Sequence, residues 1–266
     1  MNLPKLQIFK IGGNVINDNL QLNAFLSSFA KLSGYKILVH GGGKIASEIG
    51  KSLGMQAKVI NGRRITDAET LKVVTMVYGG LINNNIVAVL QSFGCNAIGL
   101  SGADANILTA HKRPANEIDY GFVGDIEEDK IPVKTIDLFL KNNLVPVIAP
   151  LTHDGIGNIL NTNADTIANT IATAMSNECE VELMYCFEKK GVMKDFNDKN
   201  SMLTKISFSE YGNLQRDGII NDGMIPKLDN AFLALKKGVK SVTIMHANAI
   251  DDILKNLKPT GTQLYV

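Results

Sequence analysis

Apolar and polar positions alternate at the start of the chain. Leu6 and Ile8 are followed by Lys10 on a run of β-forming residues, which predicts a strand through 6–11. Leu22, Phe25, Leu26, Phe29 and Leu32 then recur at helical spacing, with Gly34 as the stop. Residues 35–40 are a short apolar strand, and Ile45, Ile49 and Leu53 mark the next helix. Residues 58–65 read as a hairpin turning at Asn61-Gly62. A capping box from Thr66 to Glu69 launches a long helix to about Phe93. No charged residue occurs from 73 to 103, so that helix must be buried on several sides, as a central helix or at a dimer interface. Strands follow at 97–100, in an antiparallel flap at 107–111 and 121–125, and at 144–149, with a helix at 133–140. A hairpin turns at Asp154-Gly155, and Ile167, Ile171 and Met175 trace another helix.

A second lobe is expected from about Ser176. It holds strands at 181–186 and 241–245, a polar loop at 195–201, and helices at 209–214, through Ala231 and Leu235 to Gly238, and at 250–257. A last short strand follows Gly261-Thr262. Strands alternating with helices predict an α/β fold with a largely parallel central sheet. The expected division is 1–175 and 176–266.

Composition narrows the classes. The chain has 266 residues, 45% hydrophobic and 20% charged, enough for a sizeable core. A net charge of +1 gives no reason to expect nucleic acid or an anionic membrane as partner. Three cysteines without a Cys-x-x-Cys pair argue against a disulfide framework or structural zinc, and fit a reducing cytoplasm. No signal peptide and no bilayer-spanning apolar run is expected.

Candidate chemistry gathers at strand ends. Lys10 closes a core-type strand and Gly12-Gly13 follow, a place where backbone N–H groups can approach phosphate; an ordinary turn after a surface lysine reads the same stretch equally well. Gly41-Gly42-Gly43-Lys44 lies between a strand and a helix, the arrangement that aims N–H groups at an anion, although the Walker A and Gly-x-Gly-x-x-Gly spacings are absent. Arg64 on a hairpin suits a carboxylate, and a solvated arginine remains the alternative. Asp165 near a helix start is welcome there on electrostatic grounds alone. His40, His111, His153 and His246 are scattered and are assigned structural roles. Two glycine turns, two unusual lysines, an arginine and an Asn/Asp cluster suit phosphoryl transfer, which asks for positioning and charge neutralisation.

Five motifs in order carry a family resemblance: Lys10-Ile11-Gly12-Gly13, His40-Gly41-Gly42-Gly43, Asn61-Gly62-x-Arg64-x-Thr66, Asn161-x-Asn163-Ala164-Asp165, and Asp222-Gly223-Met224-x-x-Lys227. Together they resemble the N-acetylglutamate kinase family of the amino acid kinase superfamily. The resemblance implies a three-layer sandwich of two lobes, with the acylglutamate and the dimer contact in the first and the nucleotide in the second. It implies that Lys10 and Lys227 flank the transferred phosphoryl group as catalytic residues with Asp165 between them. Gly12, Gly13, Gly42 and Gly43 would bind phosphate, and Arg64 and Asn161 the acylated glutamate. ATP and Mg²⁺ are implied, the metal held by phosphates and water with no protein ligands. A homodimer insensitive to arginine is also expected, because the first strand starts by about Lys5 and leaves no N-terminal helix.

Two departures stand out. Cys186-Phe187-Glu188-Lys189 replaces the Thr-Asp or Ser-Asp usual after that strand, and Arg63 replaces an apolar residue before Arg64. Arg63 keeps N-succinyl-L-glutamate open as an alternative substrate to the acetyl compound. A nicotinamide-dependent oxidoreductase and a non-catalytic relative are the remoter alternatives.

Overall fold

The computed structural model describes residues 3–60, 63–195, 198, 201–220 and 224–266. Eight strands form one sheet: β1 (Lys5–Ile11), β2 (Tyr35–His40), β3 (Ala97–Leu100), β4 (Val145–Ile148), β5 (Glu180–Phe187), β6 (Lys205–Ser207), β7 (Ser241–His246) and β8 (Gly261–Tyr265). In these labels their order is 6-8-7-5-1-2-4-3. All neighbours are parallel except β7 and β8. β1 therefore lies at the centre, between β2 and β5, and the sheet runs unbroken through both halves of the chain.

Strand alternation decides what each face of β1 touches. Leu6 and Ile8 join a cluster with Ile167, Ile171 and Met175 of the helix Ala164–Met175 and Phe232 of the helix Ile225–Lys236. Phe9 and Ile11 join the opposite cluster, with Phe25 and Phe29 of the helix Asn19–Lys31 and Val77 and Ile86 of the long helix. Phe9 meets the Phe29 ring edge-on at 5.5 Å. Two apolar clusters on the two sides of one sheet make three layers. Lys10 shares the parity of Leu6 and Ile8, so it faces the N-terminal end of Ala164–Met175.

The long helix runs without interruption from Ala68 to Ser92 but changes its winding. Ala68–Val74 and Asn83–Ser92 are α-helical, and Thr75–Ile82, which contains the glycine pair, is π-helical. By length and composition it is apolar enough to cross a bilayer, with Asn83, Asn84 and Asn85 interrupting the apolar run. Here Val73, Val74, Val77, Ile82, Ile86 and Leu90 are core residues.

Several boundaries differ from the sequence expectations. The helix cap is Asp67, whose carboxylate accepts from Thr70 N–H, because the Thr66 hydroxyl is engaged by Arg64 O and the Asn161 amide. Gly13–Asn17 is a short helix where only a turn was expected. The flap pairs Ala110–Lys112 with Gly124–Ile126, a few residues later than the apolar runs suggest. The helix from Ile250 ends at Leu254, and Gly261-Thr262 belong to β8. A hairpin of Val192–Met193 with Met202–Leu203 carries no alternation long enough to be read from sequence. The hairpin arms Val59–Ile60 and Arg63–Arg64 pair as expected; the Asn61-Gly62 turn, Asp222-Gly223 and part of the polar loop at 195–201 lie outside the described residues.

Candidate active site

At the carboxyl end of β1, beyond which β2 turns into the glycine run, the sheet opens onto a cleft of about 530 Å³. Ligands in open α/β sheets collect at this edge because loops there diverge and helices begin there. Six basic side chains line the cleft, Lys10, Lys44, Arg63, Arg64, Arg113 and Lys227, against two acidic ones, Asp125 and Asp165. Such a balance draws anions.

Asp165 organises the floor. Asn163 caps the helix Ala164–Met175, its side-chain oxygen accepting from Asp165 N–H at 2.7 Å and Thr166 N–H at 3.3 Å. That cap holds the Asp165 carboxylate in the first turn, where the helix dipole favours it. Lys10 Nζ lies 2.6 Å from one carboxylate oxygen and Lys227 Nζ 2.7 Å from the other. Two lysines from opposite ends of the chain thus share one carboxylate. The Lys10 and Asp165 side chains are 7% and 8% exposed and that of Lys227 is 25%, so Lys227 is the one reached from solvent.

Burial by itself would raise the Asp165 carboxyl; the charges of Lys10 and Lys227 outweigh it and hold the group at about 2. Burial lowers the Lys10 ammonium from its ordinary value, and Lys227 adds to the lowering while Asp165 opposes it.

The helix Gly43–Ser52 opens the second glycine turn onto the same cleft. Its first-turn N–H groups have no intrahelical acceptors. Gly42 must be glycine: a Cβ there would come 2.4 Å from Ile82 Cδ1 and 2.9 Å from Tyr78 Cδ1. Behind the turn, fully buried His40 bonds Gly41 O through Nδ1 and the Asn83 amide through Nε2. Burial pushes the imidazole down to about 4, so it is neutral at physiological pH and its role is structural. Gly13 lines the cleft as well. The N–H of Gly12 donates to Cys186 O at 3.3 Å.

Arg64 reaches back under the glycine turn, donating to Gly43 O at 2.7 Å and Ser47 Oγ at 2.6 Å. Asn161, last residue of the strand Ile159–Asn161, donates to Thr66 Oγ1 at 2.9 Å. Both line the cleft, so Lys10, Gly13, Gly42, Gly43, Arg64, Asn161, Asp165 and Lys227 converge from all parts of the chain.

Five lining or neighbouring residues carry no site signal in the sequence. Tyr78 lies inside the charge-free stretch, where an aromatic reads as a core residue. Ser47 follows Gly43 by one helical turn, the only signal it carries. Arg113 and Asp125 form an ion pair across the flap that reaches the cleft; burial opposes ionisation of Asp125, and Arg113 outweighs it and lowers its pKa. Phe187 was noted only as a departure from the family pattern.

The Amino acid kinase family model matches residues 5–246. An acetylglutamate kinase of Cytophaga hutchinsonii is 55% identical over 98% of this chain and 99% of its own. The chain belongs to the amino acid kinase family, in its acetylglutamate kinase branch. A second acetylglutamate kinase, from Bacteroides thetaiotaomicron, is 54% identical over 93% of this chain and 96% of its own. Among solved structures, N-acetylglutamate synthase from Neisseria gonorrhoeae, complexed with coenzyme A and N-acetyl-glutamate, aligns with a TM-score of 0.83 at 20% identity, over 100% of this chain and 60% of that one. Carbamate kinase from Giardia lamblia aligns at 0.68 and 15% identity, over 99% of each chain. Identities this low speak to the fold alone. Membership of this kinase branch leaves the oxidoreductase and N-succinyl alternatives unfavoured, and Arg63 stands exposed at the rim of the cleft.

Proposed function

We propose that this protein phosphorylates the side-chain carboxylate of N-acetyl-L-glutamate with ATP, a step of arginine biosynthesis. The observation that carries the reading is the pair of lysines sharing Asp165 inside a basic cleft. The acceptor carboxylate, with an ordinary pKa of about 4.3, is already ionised at neutral pH and needs no general base. One of its oxygens attacks the γ-phosphorus; the new O–P bond forms as the bond to the β,γ-bridging oxygen breaks, giving an acyl phosphate and ADP. Negative charge spreads over the transferred group during this exchange. Lys10 and Lys227 take up that charge, and Asp165 keeps the two ammonium groups together by offsetting part of their repulsion. Gly13, Gly42 and Gly43 offer backbone N–H groups to phosphate oxygens, and Arg64 and Asn161 hold the acylated glutamate.

In this reading residues 1–175 hold the acylglutamate and 176–266 the nucleotide. Among the described residues no group of three or more His, Cys, Asp or Glu could hold a metal. In this proposal Mg²⁺ would come with the ATP phosphates and water and would neutralise phosphate charge. The cytoplasm is the compartment that fits three free, buried cysteines. Hydroxylamine traps acyl phosphates, so N-acetylglutamate, ATP and the enzyme should yield a hydroxamate. A protein that hydrolyses or binds ATP but never forms hydroxamate would defeat the reading.

A homodimer belongs to the same proposal. Met76 and Leu81 on the long helix and Phe93 just after it are 56%, 46% and 46% exposed, large apolar side chains that a partner could cover. Light scattering is expected to give twice the chain mass, and Leu81→Glu to shift it toward the monomer. A wild-type monomer at micromolar concentration would remove the dimer.

A further inference from the structure

Phe187 ends β5, one residue past Cys186, the register partner of Ile11. Lys10 pairs with Tyr185, and Phe187 lies two residues further along the same strand, so all three share a face. Lys10 Nζ is 5.4 Å from the centre of the Phe187 ring and Lys227 Nζ is 4.7 Å from it. Both distances are within reach of cation–π attraction, which operates to about 6 Å. The ring is only partly buried, and a Cβ on Gly12 would lie 3.5 Å from its Cδ1 and 3.9 Å from Lys10 Nζ. Ring, glycine and ammonium are close neighbours.

Asp165 carries one negative charge against two positive ones, and the lysines still repel each other. A second carboxylate would remove the repulsion and cancel the charge that a phosphoryl group must find. An aromatic face attracts both ammonium groups through its quadrupole and leaves the net charge at +1.

We propose that Phe187 is a positioning residue for the reaction, its ring steering Lys10 and Lys227 toward the transferred phosphoryl group while sparing their charge. The proposal rests on the kinase reading above. It explains how a side chain unable to hydrogen-bond phosphate occupies this strand end.

The test separates the ring's charge distribution from its bulk. Phenylalanine carrying one, two and three ring fluorines at position 187 keeps nearly the same shape and drains the ring face stepwise. A stepwise fall in kcat is expected, reaching about tenfold in Phe187→Leu, with KM for acetylglutamate within about twofold of wild type and Phe187→Tyr near wild type. A flat fluorine series in folded protein would mean that the ring is packing only and would overturn the proposal. An arm independent of turnover follows the Hε protons of Lys10 and Lys227 by NMR in unliganded enzyme. Both should lose a ring-current shift in Phe187→Leu, and unmoved signals would also overturn it. Absence of hydroxamate in wild type with this shift present would fault the kinase reading and not the ring contact.

Discussion

Lys10→Ala lowers kcat by about 10²-fold or more and leaves KM for acetylglutamate nearly unchanged, and Lys227→Ala does the same. The expectation follows from where the charges are held. Lys10 Nζ is buried 2.6 Å from Asp165, on a central strand with parallel neighbours on both sides. It cannot relax toward a new partner when phosphate charge redistributes. An ammonium held in place before the reaction stabilises the transition state more than the ground state, so its loss appears in kcat. Lys227 is more open to solvent but fixed to the same carboxylate at 2.7 Å. An ADP-release assay over a range of both substrates checks the prediction. Mutants that raise KM and keep kcat would assign the lysines to substrate binding.

Asp165→Asn is expected to lower kcat by a comparable factor and to weaken the fold in a pH-dependent way. Removing the charge leaves two ammonium groups facing each other across a neutral amide, and at least one must swing away. The pH dependence comes from the carboxyl group, held at about 2 against an ordinary 3.8. A depressed acid stabilises the folded chain above its unfolded pKa. As pH falls from about 4 through 2, the unfolded chain takes up the proton first and the stabilisation, on the order of 2 kcal/mol, disappears. Asparagine does not titrate. Urea unfolding should therefore show wild type ahead of Asp165→Asn at pH 5, with the gap narrowing toward pH 2. A constant gap would mean that Asp165 does not carry the pair's charge in the folded state.

Legibility differed from place to place along the chain. The strand 6–11, the helix of Phe25 and Phe29 and the parallel sheet were readable because each has a clean period and a glycine or cap at its end. The long helix was readable in extent but not in winding: its π-helical stretch contains Tyr78 and Ile82, which pack against Gly42 from a distant segment. The capping residue was misread by one position because Thr66 is engaged by Asn161, 95 residues away. Tyr78 and Ser47 were invisible as cleft residues, since an aromatic in an apolar helix and a serine in an amphipathic one have ordinary explanations.

By itself the chain of residues determined which chemistry was on offer: glycine turns at strand ends, lysines where lysines are costly, and acids and amides at a helix start. Those are local properties, written in side-chain size, charge and backbone freedom. The tertiary structure alone decided that Lys10 and Lys227 meet at one carboxylate, that Gly12 turns its N–H to Cys186, and that the ring of Phe187 lies against both lysines. Local pattern cannot supply these pairings, because they depend on which strands lie side by side in a sheet whose order departs from the order of the chain.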